Sequence, residues 1–151
     1  MTALTARGEE FSELLVEVFR VNGLLLAAGD LLARPSGLTS ARWQVLGVVD
    51  HEPATVAQVA RVMGLTRQTV RQTATALAGD GMIEFQDNPR DRRARLIALT
   101  DSGRSALRQV ERRQASWANE VAARTSEAEM RAATGILRDL GDLLEGRADG
   151  R

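Results

Sequence analysis

The sequence predicts a mainly α-helical fold of about six helices, broken once by a β-hairpin. Apolar residues recur at a spacing near 3.6 along most of the chain, and that spacing gives way to short strand-compatible runs only around residues 82–99. Ser or Thr stands at the start of most of the helical stretches, as N-caps do. With 151 residues, 44% of them hydrophobic, the chain can form one domain with a real core or two very small ones.

The first helix is expected from about Ala6 to Leu32. Phe11, Leu14, Leu15, Val18, Val21, Leu25, Ala28 and Leu32 recur along it, with Glu9, Glu13, Glu17 and Arg20 between them. Arg34, Pro35, Ser36 and Gly37 break it. Thr39 caps a second helix of about ten residues through Trp43, Val45, Leu46 and Val49, which ends at His51, Glu52 and Pro53. Thr55 and Gln58 have capping-box spacing, so a third, short helix spans Val56 to Met63 and stops at Gly64. Thr66 caps the fourth, which continues to about Ala78 before Gly79, Asp80 and Gly81. Met82 to Gln86 and Arg95 to Leu99 then read as the two strands of a hairpin around the Asn-Pro turn at Asp87 to Asp91. Thr100 caps a fifth helix to about Ala123, and Ser126 with Glu129 opens a sixth through Met130, Leu137 and Leu144.

Charge and composition narrow the function. All twenty basic side chains are Arg, Lys is absent, and His51 is the sole histidine. The twenty acids cancel them only in total: residues 1–60 carry three more acids than arginines, residues 61–95 three more arginines than acids, and the remainder balances. A basic surplus confined to the middle of the chain suits a polyanion. Without Cys there are no disulfides, no Cys-ligated zinc and no thiol redox chemistry, and no metal or other cofactor is expected. Asp30 cuts the longest apolar stretch, so neither a membrane span nor a secretory signal is expected, and the location expected is cytoplasmic.

Two short helices joined by a tight Gly-containing turn form a helix-turn-helix, whose second helix can enter the DNA major groove. The third and fourth helices meet its demands. Ala60 falls where the helices cross closely, Gly64 where the turn needs positive φ, and Val59, Met63, Leu65 and Val70 where apolar contacts lock the pair. The outward face of the fourth helix is Arg67, Gln68, Thr69, Arg71, Gln72 and Thr75, all polar and without an acid. Arg suits guanine, Gln suits adenine, and the Thr methyl suits thymine. A face that meets only solvent more often mixes Glu with Arg. Arg90, Arg92, Arg93 and Arg95 lie at or near the hairpin tip, placed to reach phosphate or an adjacent minor groove. Helix-turn-helix and basic β-loop together make a winged helix-turn-helix, whose partner is double-stranded DNA.

From Thr39 to Thr100 the sequence resembles the MarR-type winged-helix regulators. The resemblance runs through RWQVLGVV (Arg42 to Val49), VAQVARVMGLTRQTVRQTATAL (Val56 to Leu77), DGMIE (Asp80 to Glu84) and above all NPRDRRARLIALT (Asn88 to Thr100), the wing signature. More loosely, one helix before that core and two after it match the family's layout. This implies a transcriptional repressor acting as a homodimer on a pseudo-palindromic operator. Residues 1–38 and 101–146 would form the helical dimerisation region, residues 39–100 the DNA-binding domain, and residues 147–151 a frayed tail. By the same resemblance Arg93 enters the minor groove, Asp91 braces the loop and its Arg, and Arg90 and Arg92 contact the DNA backbone. Arg67, Gln68, Thr69, Arg71, Gln72 and Thr75 form the reading face, with Thr66 as cap and phosphate ligand. Independently, Phe11, Phe19 and Leu24 to Leu26 put apolar residues on more than one face of the first helix, which argues for burial against a second copy.

The resemblance further implies a small aromatic or amphipathic ligand in a cleft beside the dimer helices, with Phe11, Phe19, Arg42 and Trp43 as candidates. Ordinary packing of the aromatics and a surface ion pair for Arg42 is the competing reading, because periodic apolar residues are more often core. Thiol-based peroxide sensing, which one branch of the family uses, is excluded here because there is no cysteine; a signal would have to be non-covalent. An enzyme is not expected: no phosphate-binding glycine loop, metal-ligand spacing or nucleophile motif occurs, and carboxylate pairs such as Glu9 and Glu13 read as solvated charge. The remaining alternative is a helical protein-interaction module that keeps the fold without binding DNA, for which the acid-free face and the wing arginines would have no use.

Overall fold

A computed structural model describes residues 3–148 of the chain. Its elements run α1 (Ala6–Ala33), a 3-10 turn (Arg34–Ser36), α2 (Ser40–Val48), β1 (Ala54–Thr55), α3 (Val56–Met63), α4 (Arg67–Gly79), β2 (Ile83–Gln86), β3 (Leu96–Leu99), α5 (Asp101–Ala122) and α6 (Glu127–Ala148). The mainly α winged helix-turn-helix expected from the sequence is present. Of the residues expected as a frayed tail, 147 and 148 are the last of α6, and residues 149–151 lie outside the described residues.

The caps form as the sequence requires. The hydroxyls of Thr5, Thr39, Thr55 and Thr66 accept hydrogen bonds from the backbone N–H three residues on. At α3 the Gln58 side chain also accepts from the Thr55 N–H at 2.8 Å, completing the capping box. Thr100 accepts from the Gly103 N–H and donates to the Gly81 carbonyl at 2.6 Å, so the residue that starts α5 also ties it to the base of the hairpin.

One element was not legible in advance. β1 has only two residues, too few for a periodic signal, and exists because Ala54 and Thr55 pair antiparallel with Ile97 and Leu96. The hairpin thereby becomes a three-stranded antiparallel sheet in the order β1-β3-β2. β3 is central, and its Ile97 is fully buried.

The chain divides into two compact units, Met1–Arg112 and Arg113–Arg151. The first holds the core: Val45 and Leu46 of α2, Val59 of α3, Val70 and Leu77 of α4, Ile97 of β3, and Leu107 and Val110 of α5 are fully buried. Two glycines permit close approach within it. A Cβ on Gly29 of α1 would stand 2.2 Å from the Ser40 hydroxyl, and one on Gly103 of α5 would stand 1.9 Å from the Met82 carbonyl oxygen. Ser40 is also held by Asp30, whose carboxylate accepts from its N–H at 2.7 Å, and by the Leu26 carbonyl at 2.6 Å. In the second unit the Ser126 hydroxyl and the Glu129 side chain cap α6 reciprocally, while Ile136, Leu137, Leu143 and Leu144 remain exposed.

Candidate nucleic-acid interface

The helix-turn-helix is assembled by small residues and a left-handed glycine. Val59 and Ala60 of α3 are buried against α4, and α3 ends at Gly64 with φ +65. The Leu65 N–H then donates to the Ala60 carbonyl and the Gly64 N–H to that of Arg61, which closes the turn and satisfies the helix end. Leu65 itself does not lock the pair as the sequence suggested, since its side chain is 42% exposed and follows the turn outward.

In α4 the buried residues are Val70, Ala74 and Leu77, spaced four and three apart. That spacing fixes the helix's rotation, so Arg67, Gln68, Thr69, Arg71, Gln72 and Thr75 are all exposed. Two of these side chains are partly committed within the helix. Thr69 shares a hydrogen bond with the Thr66 hydroxyl at 2.9 Å, and Thr75 donates to the Arg71 carbonyl at 2.8 Å. Arg67, Gln68, Arg71 and Gln72 have no such side-chain bond and keep their donors for a partner.

The wing between β2 and β3 is shaped by two short acceptors. The Asn88 side chain accepts from the Arg90 N–H at 3.0 Å, and the Asp91 carboxylate from the Arg93 N–H at 2.9 Å. Successive turns Asp91 N–H to Asn88 and Ala94 N–H to Asp91 complete the loop. Asp91 thus engages the backbone of Arg93, and the guanidinium stays outside that contact. Arg90, Arg92 and Arg93 are exposed. Arg95, which sequence alone grouped with them, folds back: it donates to the Phe85 carbonyl at 2.9 Å and lies over the Phe85 ring at 5.6 Å.

These pieces enclose a groove of about 460 Å³. Its walls are Arg67, Arg71 and Thr75 of α4, Arg93 to Arg95 of the wing, and Thr55 to Ala57 at the start of α3, with no acid among the lining residues. On the far side of α4 a shallower depression is lined by Gln68, Arg71, Gln72, Thr75 and Ala76, so Arg71 borders both. The start of α3 was cast in the sequence only as a cap, and its place in the groove follows from the pairing of β1 with β3. Among the described residues, none of Arg67, Arg71, Arg90, Arg92 and Arg93 makes an ion pair. Four guanidinium groups around an acid-free groove form a local positive field suited to a polyanion of helical shape.

The four residues considered for a small ligand do not share one environment. Phe11 is half-buried on α1 and Phe19, two turns on, is 72% exposed. Trp43 packs against the core, and Arg42 donates to Asp80 beyond the end of α4 at 2.9 Å.

The fold and this surface define a winged helix-turn-helix DNA-binding protein. The chain belongs to the MarR family, whose model matches residues 36–94. It is 37% identical over 130 residues to an uncharacterised protein of Mycobacterium tuberculosis, covering 86% of this chain and 91% of that one. It is 28% identical over 106 residues to the transcriptional activatory protein BadR of Rhodopseudomonas palustris, covering 68% of this chain and 61% of BadR. Among solved structures, the M. tuberculosis transcriptional regulator MosR in complex with DNA is 26% identical with a TM-score of 0.73, covering 87% of this chain and 96% of MosR. CouR of Rhodococcus jostii, solved with p-coumaroyl-CoA bound, shares the fold at 23% identity and a TM-score of 0.75, covering 82% and 88%. Members of the family are DNA-binding transcription regulators and not enzymes, and this chain is one of them. No helix among the described residues is long and apolar enough to cross a membrane.

Proposed function

We propose that the protein is a homodimeric repressor that reads a pseudo-palindromic operator with two copies of the interface just described. In each copy α4 lies in the major groove, where Arg67, Gln68, Thr69, Arg71, Gln72 and Thr75 meet base edges and Thr66 a phosphate. Arg93 enters the neighbouring minor groove, Arg90 and Arg92 hold the backbone, and Asp91 keeps the loop in shape. The observation that carries this reading is the acid-free groove between α4 and the wing with its unpaired arginines.

A second copy is supported by the exposed apolar residues outside that surface. On α1, Val16, Phe19, Leu24, Leu25 and Leu31 are each more than half exposed, and on α6 Ile136, Leu143 and Leu144 are as well. Stripes of that extent are stable in water when another chain covers them. Residues 1–38 and 101–146 therefore serve as the dimerisation region and residues 39–100 as the DNA-binding domain. Two copies bring about six formal positive charges to the DNA side, with half-sites roughly one helical turn apart. The protein works in the cytoplasm, the compartment of its DNA. A non-covalent aromatic or amphipathic ligand releases it, and the aromatic thioester held by CouR supports that class. Of the four candidate contacts Phe11 and Phe19 offer it apolar surface on α1, whereas Trp43 is packed against the core and Arg42 is paired with Asp80, so contact with those two requires them to leave these partners.

Fluorescence anisotropy with DNA from the gene's own promoter, repeated over a salt range, tests the interface. Affinity is expected to fall steeply as salt rises, because each phosphate contact releases counterions. Salt-independent binding sinks the assignment. Sedimentation near the mass of a single chain at micromolar concentration sinks the dimer. A reporter whose output drops when the protein is deleted identifies an activator, as BadR is named, and overturns repression.

A further inference from the structure

The arginines of α5 are deployed differently from those of the wing. Arg104 and Arg108, one turn apart, converge on Asp50, which follows the end of α2 and lies six residues before the start of α3. The Asp50 side chain is only 11% exposed and accepts from Arg104 at 3.1 Å and from Arg108 at 2.9 Å to both of its oxygens. The other Arg108 nitrogen donates to Glu111 at 2.7 Å. These hydrogen bonds, to Glu111 first and then to Asp50, hold the guanidinium above its ordinary pKa.

α5 is thus fastened at two heights. At its foot, Gly103 lies against the Met82 carbonyl and Thr100 is bonded to Gly81. Five residues further along, about 7.5 Å up the axis, Arg108 is held by Asp50. The buried Leu107 and Val110 between and beyond these points supply adhesion, which is non-directional and tolerates roll and slide. Charge-assisted hydrogen bonds are directional and do not. Beside Arg108 the Ser36 hydroxyl donates to Gln109 at 3.2 Å and ties α5 to the 3-10 turn, and the Asp50 strut supplies the charge-assisted tie between α5 and the segment leading into α3.

We propose that Asp50 is a positioning residue that sets the half-site spacing the protein accepts, a role that rests on the dimeric operator reading above. In a dimer held together partly by α5, the angle of each α5 to its own helix-turn-helix determines how far apart the two α4 helices stand. One base pair adds about 3.4 Å along the DNA and about 35° around it, so α5 must hold both the distance and the rotation of each α4, and a helix free to pivot relaxes the spacing that the dimer accepts.

The test uses the full chain and a series of operators whose half-sites are moved together or apart by one and two base pairs. Wild type is expected to prefer one spacing. Asp50→Asn is expected to reduce that preference about threefold or more and Arg108→Gln, which leaves the Arg104 bond in place, measurably but less; the double variant should go no further than Asp50→Asn alone, since Arg108 acts through Asp50. Asp50→Glu, which keeps the charge, retains most of the preference. Unchanged preference in both single variants overturns the proposal, as does an affinity loss equal at every spacing. If Asp50→Asn loses its helical circular dichroism, Arg108→Gln, altered at an exposed side chain, decides alone. A wild type indifferent to spacing is a separate outcome: it removes the dimeric operator reading and this role with it.

Discussion

The same side chain serves two purposes in two regions of this molecule. On α4 and the wing, Arg67, Arg71, Arg90, Arg92 and Arg93 stand without ion-pair partners, and Arg67, Arg71 and Arg93 line a groove whose walls hold no acid. On the other helices, Arg20 pairs with Glu17, Arg42 with Asp80, Arg104 and Arg108 with Asp50, and Arg131 with Glu127. A guanidinium already satisfied by a carboxylate has little field left for phosphate, and an unpaired one keeps both its charge and its planar donors. The net charge of zero therefore hides an uneven arrangement, in which acids neutralise several arginines of the other helices while those five of α4 and the wing carry no ion pair.

Substitution can break that contrast, and the largest effect is expected at Arg71, which borders both depressions beside α4. Arg71→Ala should cost about 1–3 kcal/mol of discrimination at one base pair. Competition titrations against single-base operator variants measure it, and equal weakening on every sequence would show that Arg71 touches only the backbone. Next comes Arg92→Ala, expected to weaken binding to all sequences and to reduce the slope of log affinity against log salt by about 0.9 for one lost phosphate contact. A variant with the parental slope would move Arg92 out of the interface. Arg42→Ala should be smaller, below about 1 kcal/mol in chemical denaturation, because the pair it makes with Asp80 is half in water. Its DNA affinity should match wild type. Smallest is Arg20→Ala, whose i,i+3 pair with Glu17 is mostly exposed, and neither melting temperature nor operator affinity should move beyond error. A large loss of DNA binding in this last variant would collapse the distinction between the two groups of arginine.

Much of the interface was legible because it depends on local rules. Threonine caps, the left-handed Gly64 and the 3.6-residue spacing of Val70, Ala74 and Leu77 act within a few residues of themselves, so the exposed face of α4 followed from reading along the chain. The NPRDRRAR run likewise declared a basic turn. Where contacts cross many residues, reading along the chain stops working. The β1 strand needs Ile97 and Leu96, more than forty residues away, to be a strand at all. Arg95 looked like one more wing arginine until Phe85 across the hairpin gave it a partner. Leu65 had the composition of a core residue and the geometry of an exposed one.

What the sequence by itself determined is the inventory of helices, the hairpin, the position of the helix-turn-helix and the charge pattern that marks one surface for DNA. These follow from capping, periodicity and turn chemistry, whose causes lie within about a turn of each residue. Only the tertiary structure decided which arginines are free and which are spent, because a guanidinium on α5 and a carboxylate 54 or 58 positions earlier become neighbours through packing alone. Asp50 carries no sequence signal of its importance; burial between two arginines supplies it.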